Sequence, residues 1–182
     1  MKETYITSKE HALYKKFKEL YEISFPIFEQ RSENQQQQAF GDGRYKLVAF
    51  TDEDGETFIG FISYWQFDTY RYVEHLAINK NLRGKGFGSK ILEHFIKSPG
   101  GMTILEIDPI VDRISESRLK FYQKCGFNRN PYPHKHPPYN KDYKPHELII
   151  MTSERPISAT EYQTFNNDLC NAVMKNCTDC DM

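Results

Sequence analysis

A glycine-rich and basic segment is the part of the sequence whose residue types most directly suggest chemistry. Residues 81–88 read Asn-Leu-Arg-Gly-Lys-Gly-Phe-Gly, and no acidic residue lies between positions 80 and 90. The basic residues there are Lys80, Arg83, Lys85 and Lys90. A helix is predicted to follow, and a helix N-terminus presents unpaired N–H groups that glycine allows a ligand to approach closely. The segment therefore predicts a site for a phosphate or pyrophosphate.

Two familiar phosphate-binding motifs do not fit this segment. Residues 84–90 read Gly-Lys-Gly-Phe-Gly-Ser-Lys and do not supply the P-loop pattern GxxxxGK[ST]. The dinucleotide fingerprint GxGxxG needs a third glycine at Ser89 or beyond, and it belongs at the first strand-to-helix turn rather than after several strands. A glycine-rich loop that caps a helix without any ligand is the alternative that stays open.

Two landmarks resemble the GNAT acyltransferase superfamily. Arg83-x-x-Gly86-x-Gly88, after a predicted strand, resembles the superfamily pattern [QR]-x-x-G-x-[GA]. The segment 121–127, Phe-Tyr-Gln-Lys-Cys-Gly-Phe, is similar to its tyrosine-bearing helix closed by Gly-Phe. One predicted helix and one predicted strand separate the landmarks, and the resemblance covers roughly residues 8–153. The stretch Phe25-Pro26-x-x-Glu29 also resembles a subset of bacterial-type members.

The resemblance implies a fold, a cofactor and a set of binding residues. The implied fold is α/β, with a central mixed, mostly antiparallel, twisted sheet flanked by helices. The implied co-substrate is acetyl-CoA (coenzyme A), with no metal: its pyrophosphate would lie on the backbone amides of the glycine-rich segment, and its pantetheine along the strand edge before it. The implied cofactor-binding residues are Leu76, Ala77, Ile78, Arg83, Gly84, Lys85, Gly86, Phe87, Gly88, Ser89 and Ser115. Ser115 and Arg118 depart from the pattern, where Asn and a small Ala are common.

Direct transfer of an acetyl group to an amine makes three demands. The amine must be neutral when it attacks, the thioester oxygen gains charge, and the leaving thiolate needs a proton. The resemblance places a backbone N–H near Ile78 at the oxygen, and Tyr122 matches the family's acid position. A tyrosine hydroxyl, with a pKa of about 10, can donate weakly to a thiolate whose acid has a pKa of about 8.5. A core tyrosine on an amphipathic helix is the alternative interpretation of Tyr122.

Glu74 is the candidate base. Alternation along its predicted strand puts Glu74 on one face with Leu76 and Ile78, and His75 on the other. A carboxylate among apolar residues is expected to have a raised pKa, which suits a base. An arginine-paired structural carboxylate is the alternative, and Glu106 in the neighbouring predicted strand is a further option.

A Pro-, His- and Tyr-rich segment, residues 131–146, precedes the last predicted strand. Its histidine spacing matches no zinc pattern, and Cys177 and Cys180, although spaced as CxxC, lack a second pair, so no metal site is predicted. The family resemblance puts this segment near the acceptor pocket, whereas a mobile surface loop is the alternative. The candidate acceptor-lining residues are Tyr132, His134, His136 and Tyr139.

Periodicity and turn signals predict the elements that must position these residues. The predicted helices are Lys9–Ser24, capped by Ser8, a short one within Glu33–Phe40, one from the glycine-rich segment to Lys97, Ser115–Cys125, and one from the capping box Ser158–Glu161 to about Lys175. The predicted strands are Tyr45–Thr51, Thr57–Phe67, Tyr72–Ile78, Met102–Ile107, a short one from Phe127, and Glu147–Thr152.

The predicted domain organisation is an acetyltransferase domain over residues 1–153 and a C-terminal helical extension and tail over residues 154–182. The last helix carries an apolar stripe that must be covered. Its own domain is the favoured cover, and a second subunit, giving a homodimer, is the alternative.

Composition and charge restrict the function classes. A chain of 182 residues is typical of one domain with a small appendage. A net charge of −1 argues against a generic basic nucleic-acid binder. The N-terminus lacks the apolar segment of a signal peptide, and the longest apolar stretch, Phe58–Trp65, is too short to span a bilayer. A cytoplasmic protein without a membrane or nucleic-acid partner is therefore expected.

The sequence as a whole predicts an N-acetyltransferase that acts on a primary amine of a small molecule or peptide. A protein or N-terminal acetyltransferase is one alternative. A non-catalytic CoA-binding sensor is another, because the motifs for binding CoA are better matched than the motifs for chemistry.

Overall fold

The computed structural model describes residues 1–175 and residue 177. Its strands are β1 (Lys2–Tyr5), β2 (Tyr45–Thr51), β3 (Phe58–Gln66), β4 (Tyr70–Ile78), β5 (Met102–Ile107), β6 (Phe127–Arg129), β7 (Lys135–His136), β8 (His146–Glu147) and β9 (Ile149–Ser153). Its helices are α1 (Tyr14–Ser24), α2 (Glu33–Phe40), α3 (Phe87–Lys97), α4 (Arg113–Lys124) and α5 (Ala159–Asp168). The remaining elements are single turns of 3₁₀-helix at Ile27–Glu29 and Lys80–Leu82 and a π-helical turn at Leu169–Val173.

A seven-stranded sheet organises the fold in the order β1-β2-β3-β4-β5-β9-β6. Every neighbouring pair in it is antiparallel except β4 and β5, which run parallel and are connected through α3. Helices α1 and α5 pack on one face, and α3 and α4 pack on the other. The predicted α/β fold with a mixed, mostly antiparallel sheet is therefore confirmed.

Several element boundaries differ from prediction for local reasons. Helix α1 begins at Tyr14 rather than Lys9, because residues 8–13 form turns with bonds such as His11 N–H to the Ser8 carbonyl. Helix α4 begins earlier than Ser115, because Asp112 caps it by accepting the Ser115 N–H at 2.7 Å. Strand β1 was not predicted; it is a largely exposed edge strand without an apolar run.

The C-terminal helix packs against the chain's own core. The predicted capping box is present, since the Ser158 hydroxyl accepts the Glu161 N–H. The apolar stripe continues through the π-helical turn, and Phe165, Leu169 and Val173 are buried in the same layer as α1. The chain itself therefore buries this apolar stripe. A homodimer stays a prediction.

A buried ion pair connects three distant parts of this layer. The Arg31 Nε donates to Glu74 Oε1 at 2.8 Å, and the Arg31 Nη2 donates to the Val173 carbonyl at 2.8 Å. The Glu74 side chain is fully buried, and its second oxygen accepts the Trp65 Nε1–H at 2.8 Å. The loop before α2, strand β4 and the C-terminal turn thus share one buried cation.

Removing one partner of this pair should destabilise the fold. Glu74→Ala leaves the Arg31 charge buried without its carboxylate, which should lower the free energy of unfolding by roughly 3–5 kcal/mol in urea titrations. Asp42→Ala is the matched control, because it breaks an exposed ion pair with Arg44. It should lower the free energy of unfolding by about 1 kcal/mol or less. Equal stability of the two variants would contradict a structural role for the buried pair.

Candidate active site

A groove opens where β4 and β5 separate. The two strands pair only from Tyr70 opposite Met102 to Val73 opposite Leu105. Beyond that point β4 stays paired with β3 as far as Ile78, while β5 stays paired with β9. The inner edges of both strands are thereby freed, and they form the walls of a cavity of about 950 Å³.

A β-bulge in β4 lies at the point of separation. Ser63 of β3 is opposite His75 and Tyr64 is opposite Val73, so Glu74 is the extra residue. The bulge interrupts the alternation of side chains. Glu74 bonds Trp65 in the α1 layer, whereas Leu76 packs in the α3 layer. The predicted placement of Glu74 on the face of Leu76 and Ile78 is therefore wrong.

The expected raised pKa of Glu74 is also wrong. Burial by itself would raise the pKa, but the charge of Arg31 and hydrogen bonds from Trp65 and Tyr139 hold it below its ordinary value. The Tyr139 hydroxyl donates to Glu74 Oε1 at 2.9 Å. Glu74 lies in the groove wall with the environment of the arginine-paired structural carboxylate that was the alternative interpretation.

The glycine-rich segment forms an anion-binding geometry at the end of β4. Gly84 and Gly86 have φ of +76° and +79°, and Gly86 is the N-cap of α3. The first helical bond runs from the Lys90 N–H to the Gly86 carbonyl at 3.1 Å. The N–H groups of residues 87–89 therefore have no helical partner and are available to a ligand. The Arg83 Nε donates to the Ile78 carbonyl at 3.2 Å.

Gly88 serves packing rather than backbone conformation. It lies in the first turn of α3, where a Cβ atom would stand 3.3 Å from the Phe121 ring. A side chain at this position would require the Phe121 ring to shift by a few tenths of an ångström. The glycine therefore allows the two helices to approach beside the groove.

The groove brings together most of the cofactor-binding residues expected from the sequence. Those that line it are Leu76, Ala77, Ile78, Arg83, Gly84, Gly86, Phe87, Gly88 and Ser89. Lys85 is exposed and does not line the cavity. Ser115 is buried outside the lining, and its hydroxyl accepts the N–H groups of Val111 and Asp112. The Ser115 side chain is thus committed to the cap of α4, whereas Arg118 faces the groove.

Tyr122 projects from α4 into the groove lining. Its ring packs edge-on against Phe121 and Phe127, at centroid distances of 5.1 and 5.8 Å. Burial raises the pKa of Tyr122 to about 12. The hydroxyl is therefore protonated at neutral pH and can donate a hydrogen bond to a thiolate.

Another part of the groove wall is rich in aromatic and titratable side chains. They come from the 3₁₀ turn after α1 and from the β7–β8 hairpin, and they include Phe28, Glu29, His136, Tyr139 and His146. Of the four candidate acceptor-lining residues, His136 and Tyr139 lie in this groove. The other two, Tyr132 and His134, line a second cavity of about 760 Å³.

Glu29 is a titratable residue that sequence reasoning did not single out as a site residue. Burial, followed by the charge of Asp108, raises the pKa of Glu29 to about 7. Its Oε1 lies 4.0 Å from His146 Nε2. A near-neutral carboxyl in a cleft is typical of a general base. The only local signal was the Phe25-Pro26-x-x-Glu29 stretch, which says nothing about burial.

Glu106 has the opposite character. Burial would raise its pKa, but the charge of His136 and a hydrogen bond with His134 outweigh burial and lower the pKa to about 2. The Tyr72 hydroxyl also donates to Glu106 Oε2 at 2.5 Å. Glu106 is therefore a persistent carboxylate, which makes it a poor general base by itself.

The described residues contain neither a membrane-spanning helix nor a cluster of metal ligands. Within residues 1–175 and 177, no helix combines the length and apolar character needed to cross a bilayer. In the same part of the chain, no three His, Cys, Asp or Glu residues gather as metal ligands. Cys180, the partner of Cys177 in the CxxC spacing, lies outside the described residues.

The family model, two sequence relatives and a solved structure that this chain resembles are all of acetyltransferases. The sequence model of the acetyltransferase (GNAT) family matches residues 11–127. YjbC of Bacillus subtilis, named as an acetyltransferase, is 34% identical over 64 residues, which are 34% of this chain and 33% of YjbC. Glucosamine 6-phosphate N-acetyltransferase 1 of Dictyostelium discoideum is 37% identical over 60 residues, 32% of this chain and 35% of that protein. The aligned segments thus span about a third of these two relatives.

A solved structure from Bacteroides thetaiotaomicron, assigned to the GNAT family of acetyltransferases, is similar over nearly the whole chain. It shares 28% sequence identity with a TM-score of 0.88, and the match covers 96% of this chain and 98% of that one. The family match alone spans more than half of this sequence. The chain therefore belongs to the acetyltransferase (GNAT) family, whose members transfer acyl groups from coenzyme A.

Proposed function

We propose that this protein is an N-acetyltransferase that uses acetyl-CoA and acetylates a primary amine of a small molecule or peptide in the groove between β4 and β5. The observation that carries the proposal is the coincidence of two features at one place. The free inner edge of β4 leads directly into the unpaired N–H groups at the start of α3. An extended thioester arm along β4 and a pyrophosphate at the turn that follows thus fit one after the other.

The proposed cofactor contacts follow this geometry. The pyrophosphate lies on the backbone amides of residues 84–89, with Arg83 and Lys85 adding positive charge beside it. The pantetheine arm pairs with residues 76–78 as an added strand would. Ser115 supports this arrangement indirectly, because its hydroxyl accepts the N–H groups of Val111 and Asp112 and donates to the Asp112 carbonyl in the cap of α4.

The proposed chemistry uses two groove residues whose pKa values are far apart. Glu29, in its carboxylate form, takes one proton from the acceptor ammonium, and the neutral amine attacks the thioester carbonyl. A backbone N–H on the β4 edge, near Ile78, holds the oxygen that gains charge. Tyr122 donates a proton to the CoA thiolate, and the second amine proton restores the Tyr122 hydroxyl. The products are the amide and the CoA thiol, with one proton left on Glu29.

The surroundings of Glu29 favour catalysis over the CoA-binding sensor. A sensor needs the anion site but has no use for a carboxyl of near-neutral pKa beside the same groove. We assign residues 1–153 to the acetyltransferase domain and residues 154–175 to a segment that completes its α1 layer. The choice between a small amine and a protein N-terminus, and the cytoplasmic location, stay predictions.

Acetyl-CoA should stabilise the protein. At about 100 times its dissociation constant, the ligand should add roughly 2.7 kcal/mol to the free energy of unfolding. A thermal-shift titration would show this as a rise in Tm of several degrees. Gly86→Ala should reduce the shift, because Gly86 has a left-handed φ at the N-cap, whereas Gly43→Ala in an open turn should not. Absence of any shift with acetyl-CoA or CoA would overturn the proposed function.

Tyr122→Phe should slow acetyl transfer while leaving CoA binding intact. Loss of the proton donor should lower kcat by roughly 10²–10⁴-fold, measured by thiol release with a panel of amines. The ring and its packing are retained, so the melting temperature should change little. Tyr5→Phe on the exposed edge strand is the control. A kcat equal to that of the unsubstituted protein would leave Tyr122 with a packing role only.

The pH profile of kcat/KM should have an acidic limb near neutral pH because of Glu29. A base must be deprotonated, so kcat/KM should rise with pH through about 7, the pKa to which burial raises this carboxyl. Glu29→Gln should lose that limb and turn over roughly 10²–10⁴-fold more slowly. Glu22→Gln, at an exposed position of helix α1, should keep the limb. A pH profile that is the same with and without the Glu29 carboxyl would exclude it as the base.

A further inference from the structure

The bulge in β4 places two consecutive side chains on the same face of the sheet. Glu74, the extra residue, bonds Trp65 in the α1 layer. The next residue, His75, also lies in that layer, because its ring packs edge-on against Tyr21 and Phe25 at centroid distances of 4.9 and 4.6 Å. Strict alternation would have put only one of the two there. Both side chains are thus available to the chain segment that follows α1.

These two side chains hold that segment at two points. Glu74 binds the Arg31 guanidinium, and the His75 Nε2 lies 2.9 Å from the Glu29 carbonyl oxygen. A backbone carbonyl can only accept a hydrogen bond, so the His75 Nε2 carries a proton and donates it. The segment is therefore fixed at Glu29 and again at Arg31, two residues further on.

The His75 ring is neutral, with its proton on Nε2. Burial lowers the pKa of His75 to about 4, although the charge of Glu74 acts in the opposite direction. In the neutral ring Nδ1 is unprotonated, so it accepts the Ser63 hydroxyl at 3.4 Å. Each ring nitrogen thus has one partner, and the two partners together determine the orientation of the ring.

The backbone at Glu29 determines where its carboxyl group lies. Glu29 ends the 3₁₀ turn, and its N–H donates to the Pro26 carbonyl at 2.9 Å. Its own carbonyl has a second contact, from the Tyr21 hydroxyl, but this one is longer at 3.5 Å. The Glu29 side chain is 23% exposed and lines the groove beside His146. The shorter bond, from His75, is therefore the main link between this turn and β4.

His75 lines the groove, but its contacts do not suit a general base. A base needs a free lone pair that faces the acceptor amine. The one lone pair of the neutral ring, on Nδ1, is occupied by the Ser63 hydroxyl. With a pKa of about 4, the imidazole is also too weak a base to hold a proton near neutral pH. Any role of His75 in the reaction must act through another residue.

We propose that His75 is a positioning residue for Glu29: its Nε2–H holds the Glu29 carbonyl and thereby keeps the Glu29 carboxyl in the groove wall. The inference rests on the proposed function, in which Glu29 is the base. The bulge thus supplies, at consecutive positions, the carboxylate that binds Arg31 and the imidazole that binds Glu29.

The charges around both residues make the pKa of Glu29 a measure of its position. The charged and titratable groups that act on Glu29 are Glu106, Asp108, Arg118 and His146. Those that face His75 are Tyr21, Arg31, Glu74, His136 and Tyr139. Because the His75 ring is neutral, its replacement by another neutral side chain leaves all these charges in place. A change in the pKa of Glu29 would then report a change in the burial of its carboxyl.

His75→Phe removes the donor but keeps a ring between Tyr21 and Phe25. The turn should loosen and water should reach the carboxyl, so the pKa of Glu29 should fall from about 7 toward its ordinary value of 4.5. The acidic limb of kcat/KM should move to lower pH with it. Because the base is misplaced, kcat should fall roughly 10- to 100-fold. The dissociation constant of acetyl-CoA should not change.

Two further variants separate positioning from loss of packing. His75→Gln keeps an N–H donor at the end of its side chain, so it should keep the limb near pH 7 and recover most of kcat. Ser63→Ala removes a buried hydrogen bond to the same ring but leaves the Nε2–H in place, so it should also keep the limb. If His75→Phe and the unsubstituted protein share one pH profile, the positioning role is overturned and the acetyltransferase stands.

NMR gives a readout without substrate. In the ligand-free protein, the ¹³C signal of the Glu29 carboxyl should titrate near pH 7, and in His75→Phe it should titrate at lower pH. Equal titration in the two would overturn the proposal even in a protein for which no acceptor is found. The ¹⁵N spectrum of the unsubstituted protein should show His75 neutral and protonated on Nε2 at pH 7. A proton on Nδ1 would equally overturn the proposal.

Discussion

The buried ion pair of Arg31 and Glu74 fixes the β-bulge in β4, and the groove opens at this bulge. Glu74 is the extra residue of the β4 bulge, so its carboxylate turns into the apolar layer of α1 rather than toward the groove floor. An ionised carboxylate there is tolerable only because Arg31, Trp65 and Tyr139 satisfy it. With the bulge secured, β4 leaves β5 after Val73, and a free strand edge results. The free edge of β4 thus begins directly after Val73, at the residue that this ion pair holds.

The same arginine makes the C-terminal segment part of the site's framework. Arg31 donates to the Val173 carbonyl, while the apolar residues of α5 and the π-helical turn bury against the layer that holds Glu74. Loosening this segment would expose the guanidinium and weaken its hold on the bulge. The appendage predicted from the chain length is therefore coupled to the framework of the groove, although none of its described residues, 154–175 and 177, lines the groove.

The groove separates charges that cancel in the whole chain. One end is the start of α3, with unpaired amides and basic side chains, which suits polyanionic CoA. The part of the groove in which the acceptor is proposed to bind carries Glu29, Glu106 and Asp108 beside histidine and aromatic rings, which suits a cationic amine. The net charge of −1 conceals this division. Glu29 and Glu106 are both buried, yet their pKa values shift in opposite directions. Burial, followed by the charge of Asp108, raises the pKa of Glu29, whereas His136 and His134 outweigh burial and lower the pKa of Glu106.

Features that depend on residues close together in the chain could be predicted from the sequence. The left-handed glycines, the start of α3, the helix that bears Tyr122 and the order of most elements were predictable, because turn φ values, helix caps and periodicity involve residues a few positions apart. Tertiary contacts set the pKa values of the buried carboxylates. Glu74 meets Arg31 across 43 positions, and Glu106 meets His134 across 28. Strict alternation failed at Glu74, because the bulge is a property of the β3–β4 pairing. The raised pKa of Glu29 could not be predicted either, since its burial and its charge partners come from segments that only folding brings together.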